Sequence, residues 1–241
     1  MQSTLSKQQL QAFYHDDFVE DQTRHFVALV GAAGDQRRLV VDVGGGCGFF
    51  ARRLAELIGA TVKVIDTDPA SVAACRQLGI DARIGNALDP PEEKDCTVTL
   101  NLVLHHLIGA SEKATLDLQR RALTVWRSRA NEIFVNEYIY ESFLGNFSGW
   151  LIYQITKSRI LSWLGRSIAK LVPAFRANTF GIGVRFRSHA EWVEVFASAG
   201  YEVKSSMLGW EERVSVPLRL LLIKNIRRDS FLLVPAGTQA V

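Results

Sequence analysis

The sequence predicts an α/β protein built on a doubly wound parallel sheet, and three observations carry that expectation. Val40-Val41-Asp42-Val43 is an apolar, β-branched run suited to a buried parallel strand, and it ends in Gly44-Gly45-Gly46-Cys47-Gly48. Residues 49–58 then carry apolar side chains at helical spacing, so strand, glycine turn and helix follow in the order of a βαβ unit. Apolar runs and helical periods keep alternating over residues 39–140.

The elements follow in order. An amino-terminal helical segment runs to about Gly34, and Phe13-Tyr14-His15-Asp16-Asp17-Phe18 near its start mixes aromatic and polar groups. The first strand and its glycine turn form a cofactor-type loop, because glycines let a ligand touch the backbone. A dinucleotide fingerprint would need a third glycine where Phe49 stands, and no Gly-Lys-Ser/Thr follows to make a P-loop. Thr61-Val62-Lys63-Val64-Ile65-Asp66 is a second strand ending in an acid, about 20 residues beyond the glycines, where a carboxylate can accept from both ribose hydroxyls. Asp68 caps the next helix and Pro69 opens it. After an apolar insertion, Ser188-His189-Ala190-Glu191 reads as a capping box for a helix ending at Gly200. Two strands are expected after it, at 201–208 and 218–225.

Asp-x-Gly-x-Gly-x-Gly from Asp42 to Gly48, with Asp66 at its offset, resembles the first motif of class I S-adenosylmethionine-dependent methyltransferases. Residues 82–88 look like that family's third-strand segment and residues 95–107 like its fourth strand and following turn; the resemblance covers about 37–140 and 186–225. It implies a Rossmann-like seven-stranded sheet with an α-helical lid. It also implies S-adenosylmethionine as donor or sole substrate, contacted by Asp42, Gly44, Gly46, Asp66 at the ribose, Thr67 beside the adenine, and Asn86 with Ala87 at the adenine amino group. Asn101 and Leu102 would meet the methionyl part, and the amino-terminal segment would fold over the cofactor, with Tyr14 or His15 facing the site. Many members carry an acid where this chain has Asn86; an amide can still accept and donate there.

The domain organisation expected is a cover over 1–36, a cofactor-binding core over 37–141, a lid insertion over 142–187, the last helix and strands of the core over 188–228, and a tail over 229–241. Of 241 residues, 48% are hydrophobic, ample for a packed core. Cys47, Cys75 and Cys96 form neither a disulfide framework nor a metal motif, so no metal and a reducing, cytoplasmic setting are expected. The polar amino terminus lacks a signal-peptide core, and the longest uncharged run, 96–111, is too short to span a membrane.

The formal charge of +3 is unevenly spread. Residues 1–141 carry 15 basic and 19 acidic groups, residues 142–190 carry seven basic groups and no acid, and the rest carry six of each. In the insertion, Leu151 and Ile155, then Ile160, Leu164, Ile168 and Leu171, suggest two amphipathic helices joined near Gly165. A lid, a homodimer interface and a membrane-surface helix all suit such a segment, and the lid is the preferred reading because the insertion follows the fifth strand directly.

Around the sulfonium end the candidates are Asn101, His106, Tyr138 and Tyr140. His105 or His106, with His106 preferred, could act as a general base, on the warrant of a near-neutral pKa. Asn136, Tyr138 and Tyr140 share one strand face with Glu137 opposite, and aromatic faces attract onium groups. Methyl transfer to an O or N nucleophile of a small metabolite in a closed apolar pocket is the leading expectation. Cyclisation of the cofactor to azetidine-2-carboxylate, known in some members of the family, is the alternative. A non-catalytic binding protein on the same fold is a third; the basic segment is too apolar to predict a nucleic-acid partner.

Overall fold

The computed structural model describes residues 16–31, 38–89, 92–172 and 179–237. Seven strands, β1 (Leu39–Val43), β2 (Thr61–Asp66), β3 (Asp81–Ile84), β4 (Cys96–Asn101), β5 (Ala130–Ser142), β6 (Tyr201–Met207) and β7 (Ile223–Pro235), form one sheet. Their order is β3-β2-β1-β4-β5-β7-β6. The pairs among β1 to β5 are parallel, and β7 runs antiparallel to both of its neighbours.

The two-residue strand period divides the apolar side chains between two cores. Val40, Val62, Val64 and Phe134 face helices α1 (Asp16–Val30), α2 (Phe49–Ile58) and α3 (Pro69–Gln77), where Phe26 meets Phe50 and Phe134 edge to face. Val41, Val43, Val98, Leu100 and Ile133 pack instead with Leu123 and Trp126, at and just beyond the end of α4 (Glu112–Thr124), and with Trp192 and Phe196. β1, buried along almost its whole length, reads as a continuous apolar run for that reason.

β4 stops at Asn101, opposite Asn136, but β5 continues for six more residues. Those residues pair with the start of β7 and, on the other edge, meet Arg187 in an isolated bridge, where Tyr140 N–H donates to the Arg187 carbonyl at 3.0 Å. The result is an arm standing above the carboxyl ends of β1–β4. It carries the insertion, which folds as α5 (Phe147–Lys157) and α6 (Arg159–Leu171).

The insertion and the carboxyl-terminal strand differ from what their sequences suggest. The insertion's helices meet at Ser158, whose hydroxyl accepts from Leu161 N–H, and not near Gly165; the missing side chain of Gly165 admits the ring of Phe180 instead. α6 buries Ser162 and Ala169 and leaves Ile160 (73% exposed), Trp163 (62%) and Leu171 (85%) facing solvent, so its apolar side is uncovered. The basic character of the insertion is also reduced, because Arg185 and Arg187 are buried against Glu112 and Glu191.

Last, the strand expected at 218–225 and the tail expected from 229 are one misreading. Val216–Arg219 is a helical turn with Pro217 in its first turn, and after Leu222 at φ 59° β7 begins at Ile223 and runs to Pro235 between β5 and β6. The capping box at Ser188 does form, with Ser188 accepting from Glu191 N–H and Glu191 accepting from Ser188 N–H at the start of α7 (His189–Ser198).

Candidate functional site

The glycine turn leaves β1 with Gly44 N–H donating to the Ile65 carbonyl at 2.7 Å and Gly48 N–H to the Gly45 carbonyl at 3.0 Å. Gly45 has no room for a side chain: a Cβ there would press on Oδ2 of Asp42 and lie 3.0 Å from Val64 Cγ1. Gly46, at φ 56°, faces open space instead. A ligand can therefore reach its backbone.

Asp66 sits half-buried at the end of β2 and is held from two sides, its Oδ2 accepting from Gly46 N–H at 2.9 Å and its Oδ1 from Asp68 N–H at 2.8 Å. It thus ties the glycine turn to the β2 end. Thr67 is exposed beside it. Past β3, Asn86 and Ala87 line a recess together with Val43, Ile65 and Trp126. Asn86 Oδ1 accepts from Leu88 N–H at 3.0 Å, which fixes the amide and leaves its NH2 end toward a ligand.

Asp42 is fully buried beneath this turn rather than exposed at the ligand face. Its Oδ1 accepts from the Thr99 hydroxyl at 2.6 Å and, weakly, from Asn101 Nδ2 at 3.5 Å, while its Oδ2 has no partner. Burial pushes its carboxyl up to about 6, and the Thr99 and Asn101 hydrogen bonds only partly oppose this. A folded-state pKa above the unfolded value means the folded chain holds this proton more tightly. The stability it contributes is therefore fully present below about pH 4 and is lost as pH rises through about 6, a cost of about 3 kcal/mol at neutral pH. Asp42→Asn is expected to be more stable than the parent at pH 7.5 and to gain little at pH 4. Urea unfolding at the two pH values measures this, and an equal gain at both would contradict it.

Asn101 Oδ1 is buried without a partner at the carboxyl end of β4. Leu102 follows in the left-handed backbone region, φ 57°, its N–H donating to the Asn136 carbonyl at 2.8 Å. Such a conformation in a branched residue is strained and clusters at ligand ends of strands. In the turn of 3-10 helix at Leu104–His106, His105 is buried with Nδ1 2.6 Å from Glu137 Oε2 and is thereby a structural residue. His106 keeps an exposed edge but lays its ring 4.1 Å from that of His105; desolvation and then His105 lower the His106 pKa to about 3, so it is not the near-neutral base expected.

Tyr138 and Tyr140 stand on the arm among Ile152, Val214, Ile223 and Ile226, and Phe186 stacks on Tyr140 at 4.3 Å. Burial raises both phenol pKa values, so at neutral pH they remain O–H groups and cannot serve as bases. Tyr14 and His15 lie outside the described residues.

The other candidate residues, Gly44, Gly46, Asp66, Thr67, Asn86, Ala87, Asn101 and Leu102, gather at one edge, the carboxyl ends of β1–β4, where open α/β sheets bind ligands, with Asp42 buried beneath them. The sequence reading missed a second recess beside them, lined by Asp21, Gln22, His25, Asn136, Trp210 and Arg228. Its signal was faint: Gln22 and His25 share a helix face with Phe26, so two polar residues sit on an otherwise apolar stripe.

No family model matches the chain. A stretch of 92 residues is 39% identical to trans-aconitate 2-methyltransferase of Mycobacterium tuberculosis, covering 36% of this chain and 35% of that protein. The match thus spans about a third of the length of the curated relative. Among solved structures, magnesium protoporphyrin IX methyltransferase from Synechocystis PCC 6803, with bound SAH, superposes with a TM-score of 0.57 at 14% identity, covering 97% of this chain and 90% of that one. The cyclase SpnF superposes with a TM-score of 0.56 at 13% identity, covering 92% and 81%. Strand order, the glycine turn and these superpositions together establish that the chain has the fold of the class I S-adenosylmethionine-dependent methyltransferases.

Proposed function

We propose that this chain binds S-adenosylmethionine at the carboxyl ends of β1–β4 and transfers its methyl group to a small molecule. The observation that carries the reading is Asp66, a carboxylate at the β2 end bonded to the glycine turn, with Gly46 open beside it. The orphaned Asn101 Oδ1 fits the same ligand, because it offers an acceptor where an amino-acid ammonium would lie. Asn86 and Ala87 then take the adenine and Thr67 flanks it. A partial match to a trans-aconitate 2-methyltransferase and a superposable structure crystallised with SAH support the donor assignment.

The sulfonium supplies an electrophilic methyl group and leaves as a neutral thioether, so no acid is needed. This chain's residues then hold the nucleophile in line and exclude water. Asn101 would fix the methionyl end and Leu102 set the turn over it, while Tyr138 and Tyr140 pack against Phe186 on the arm above. His106 is a poor base, its pKa lowered to about 3 by burial and by His105, so an acceptor that is already ionised suits the site best.

A second reading keeps the donor and changes the carbon attacked: the donor's own α-amine displaces methylthioadenosine from the γ-carbon, losing one proton and giving azetidine-2-carboxylate. The closed aromatic packing at Tyr138 and Tyr140 favours it by leaving little room for an acceptor. That a cyclase shares the fold shows that the architecture does not dictate the reaction. Calorimetry with S-adenosylmethionine tests the donor; failure of the wild type to bind would remove both readings. Mass spectrometry of the cofactor incubated alone separates them, since methylthioadenosine formed without acceptor marks cyclisation.

A further inference from the structure

The second recess opens at the ligand end of the sheet, on the α1 side, one strand from Asn101. Asn136 pairs with Asn101 in register, and Leu102 N–H donates to its carbonyl. Its hydrogen bonds favour one set of proton positions, with the Ser230 hydroxyl donating to His25. Asn136 Nδ2 donates to the Asp229 carbonyl at 3.4 Å, an atom that can only accept, and to Ser230 Oγ at 2.9 Å; its Oδ1 accepts from Gln22 Nε2 at 3.2 Å. Ser230 Oγ therefore receives one hydrogen and has its own left to give.

The acceptor available to it is His25 Nδ1, at 2.9 Å. A neutral imidazole that accepts at Nδ1 carries its hydrogen on Nε2. His25 is buried, and burial followed by the charge of Arg24 lowers its pKa, so the neutral ring prevails at pH 7. His25 thus presents an N–H donor, not a base, to the recess it lines.

Arg228 is the other donor. Its guanidinium lies 3.8 Å above the Phe18 ring and 3.5 Å from Asp21. Asp21 is shared with Arg24 at 2.9 Å, so two guanidinium groups meet one carboxylate. Glu212, whose carboxyl burial raises, interacts with Arg228 through space but forms no ion pair with it among the described residues. The recess is therefore rich in donors and lacks a free base.

We propose that this recess is a carboxylate-binding subsite, with His25 Nε2–H and the Arg228 guanidinium as its donors. The proposal rests on the donor reading above and names the chemistry it handles. A carboxylate is already ionised and needs no base to act as a nucleophile. It could belong to a separate carboxylic-acid substrate or to the amino-acid end of the donor itself.

Calorimetry on the whole chain, wild type and the variants His25→Asn and Arg228→Gln, with thermal melts to confirm folding, separates the two sources. S-adenosylhomocysteine carries the amino-acid end and methylthioadenosine lacks it. If the donor's carboxylate occupies the subsite, both variants weaken S-adenosylhomocysteine about tenfold, the worth of one charge-assisted hydrogen bond, and leave methylthioadenosine unchanged. If a separate acid occupies it, both nucleosides bind the variants as they bind the wild type. Succinate then shifts the His25 Nε2–H resonance of the wild type, and Arg228→Gln loses that shift. Unchanged nucleoside affinities with no succinate response, or a His25 ring protonated on Nδ1, overturns the subsite alone. A wild type that binds neither nucleoside removes the donor reading instead, and succinate titration of the free protein still decides the subsite.

Discussion

Asp66→Ala is expected to weaken S-adenosylhomocysteine binding about a hundredfold, the sum of two charged hydrogen bonds to ribose hydroxyls at about 1.5 kcal/mol each. The loss has a second origin in this chain. Both carboxylate oxygens already hold backbone N–H groups, Gly46 at 2.9 Å and Asp68 at 2.8 Å, so the alanine variant also frees the glycine turn from the β2 end. Asp66→Asn is expected to do nearly as much harm, because its NH2 would have to face one of those two N–H donors. Calorimetry on the two variants measures both effects, and an unchanged affinity for Asp66→Ala would take the ribose away from β2.

The largest loss of stability is expected at a residue with no assigned part in binding. Glu137 is fully buried, and its oxygens are both taken, Oε1 by Leu104 N–H at 2.6 Å and Oε2 by His105 Nδ1 at 2.6 Å. Glu137→Ala strands a backbone donor and an imidazole in the core at a cost of about 3–5 kcal/mol. Glu137→Gln keeps the acceptor for Leu104, and its amide can donate to Nδ1 of a neutral His105, so the loss should be smaller. Equilibrium urea unfolding separates the two; equal, small effects would show that the pair does not hold the turn after β4 in place.

How far the chain could be read in advance varied with how local the cause was. β1 and β2 were legible because each is an apolar run that ends in a residue with a job, the glycine turn or Asp66. β7 was not, because Arg227-Arg228-Asp229 interrupts its apolar pattern; Arg227 pairs with Asp229 at 2.9 Å two residues on, but the other groups that accommodate those charges come from far away in sequence. His189 bonds Asp229 at 2.7 Å, Glu141 takes Arg227 at 3.1 Å, and Asp21 lies 3.5 Å from Arg228. The same distance in sequence hid the second recess. Gln22 and His25 read as part of a packed helix until β5 and β7 bring Asn136 and Ser230 against them. In the insertion, Gly165 looked like a break because a glycine's role depends on its neighbour, here Phe180.

Leu102 places stability and chemistry in competition at a single position. An engineer seeking a tougher protein would be drawn to it, since asparagine tolerates left-handed φ and would relieve strain of about 1 kcal/mol. Glycine would recover less, its gain offset by the greater freedom it gives the unfolded chain. Either change would also remove an aliphatic side chain from the turn beside Asn101. On the proposed binding mode, the position therefore offers a cheap route to thermal tolerance whose cost would fall on the alignment of the donor.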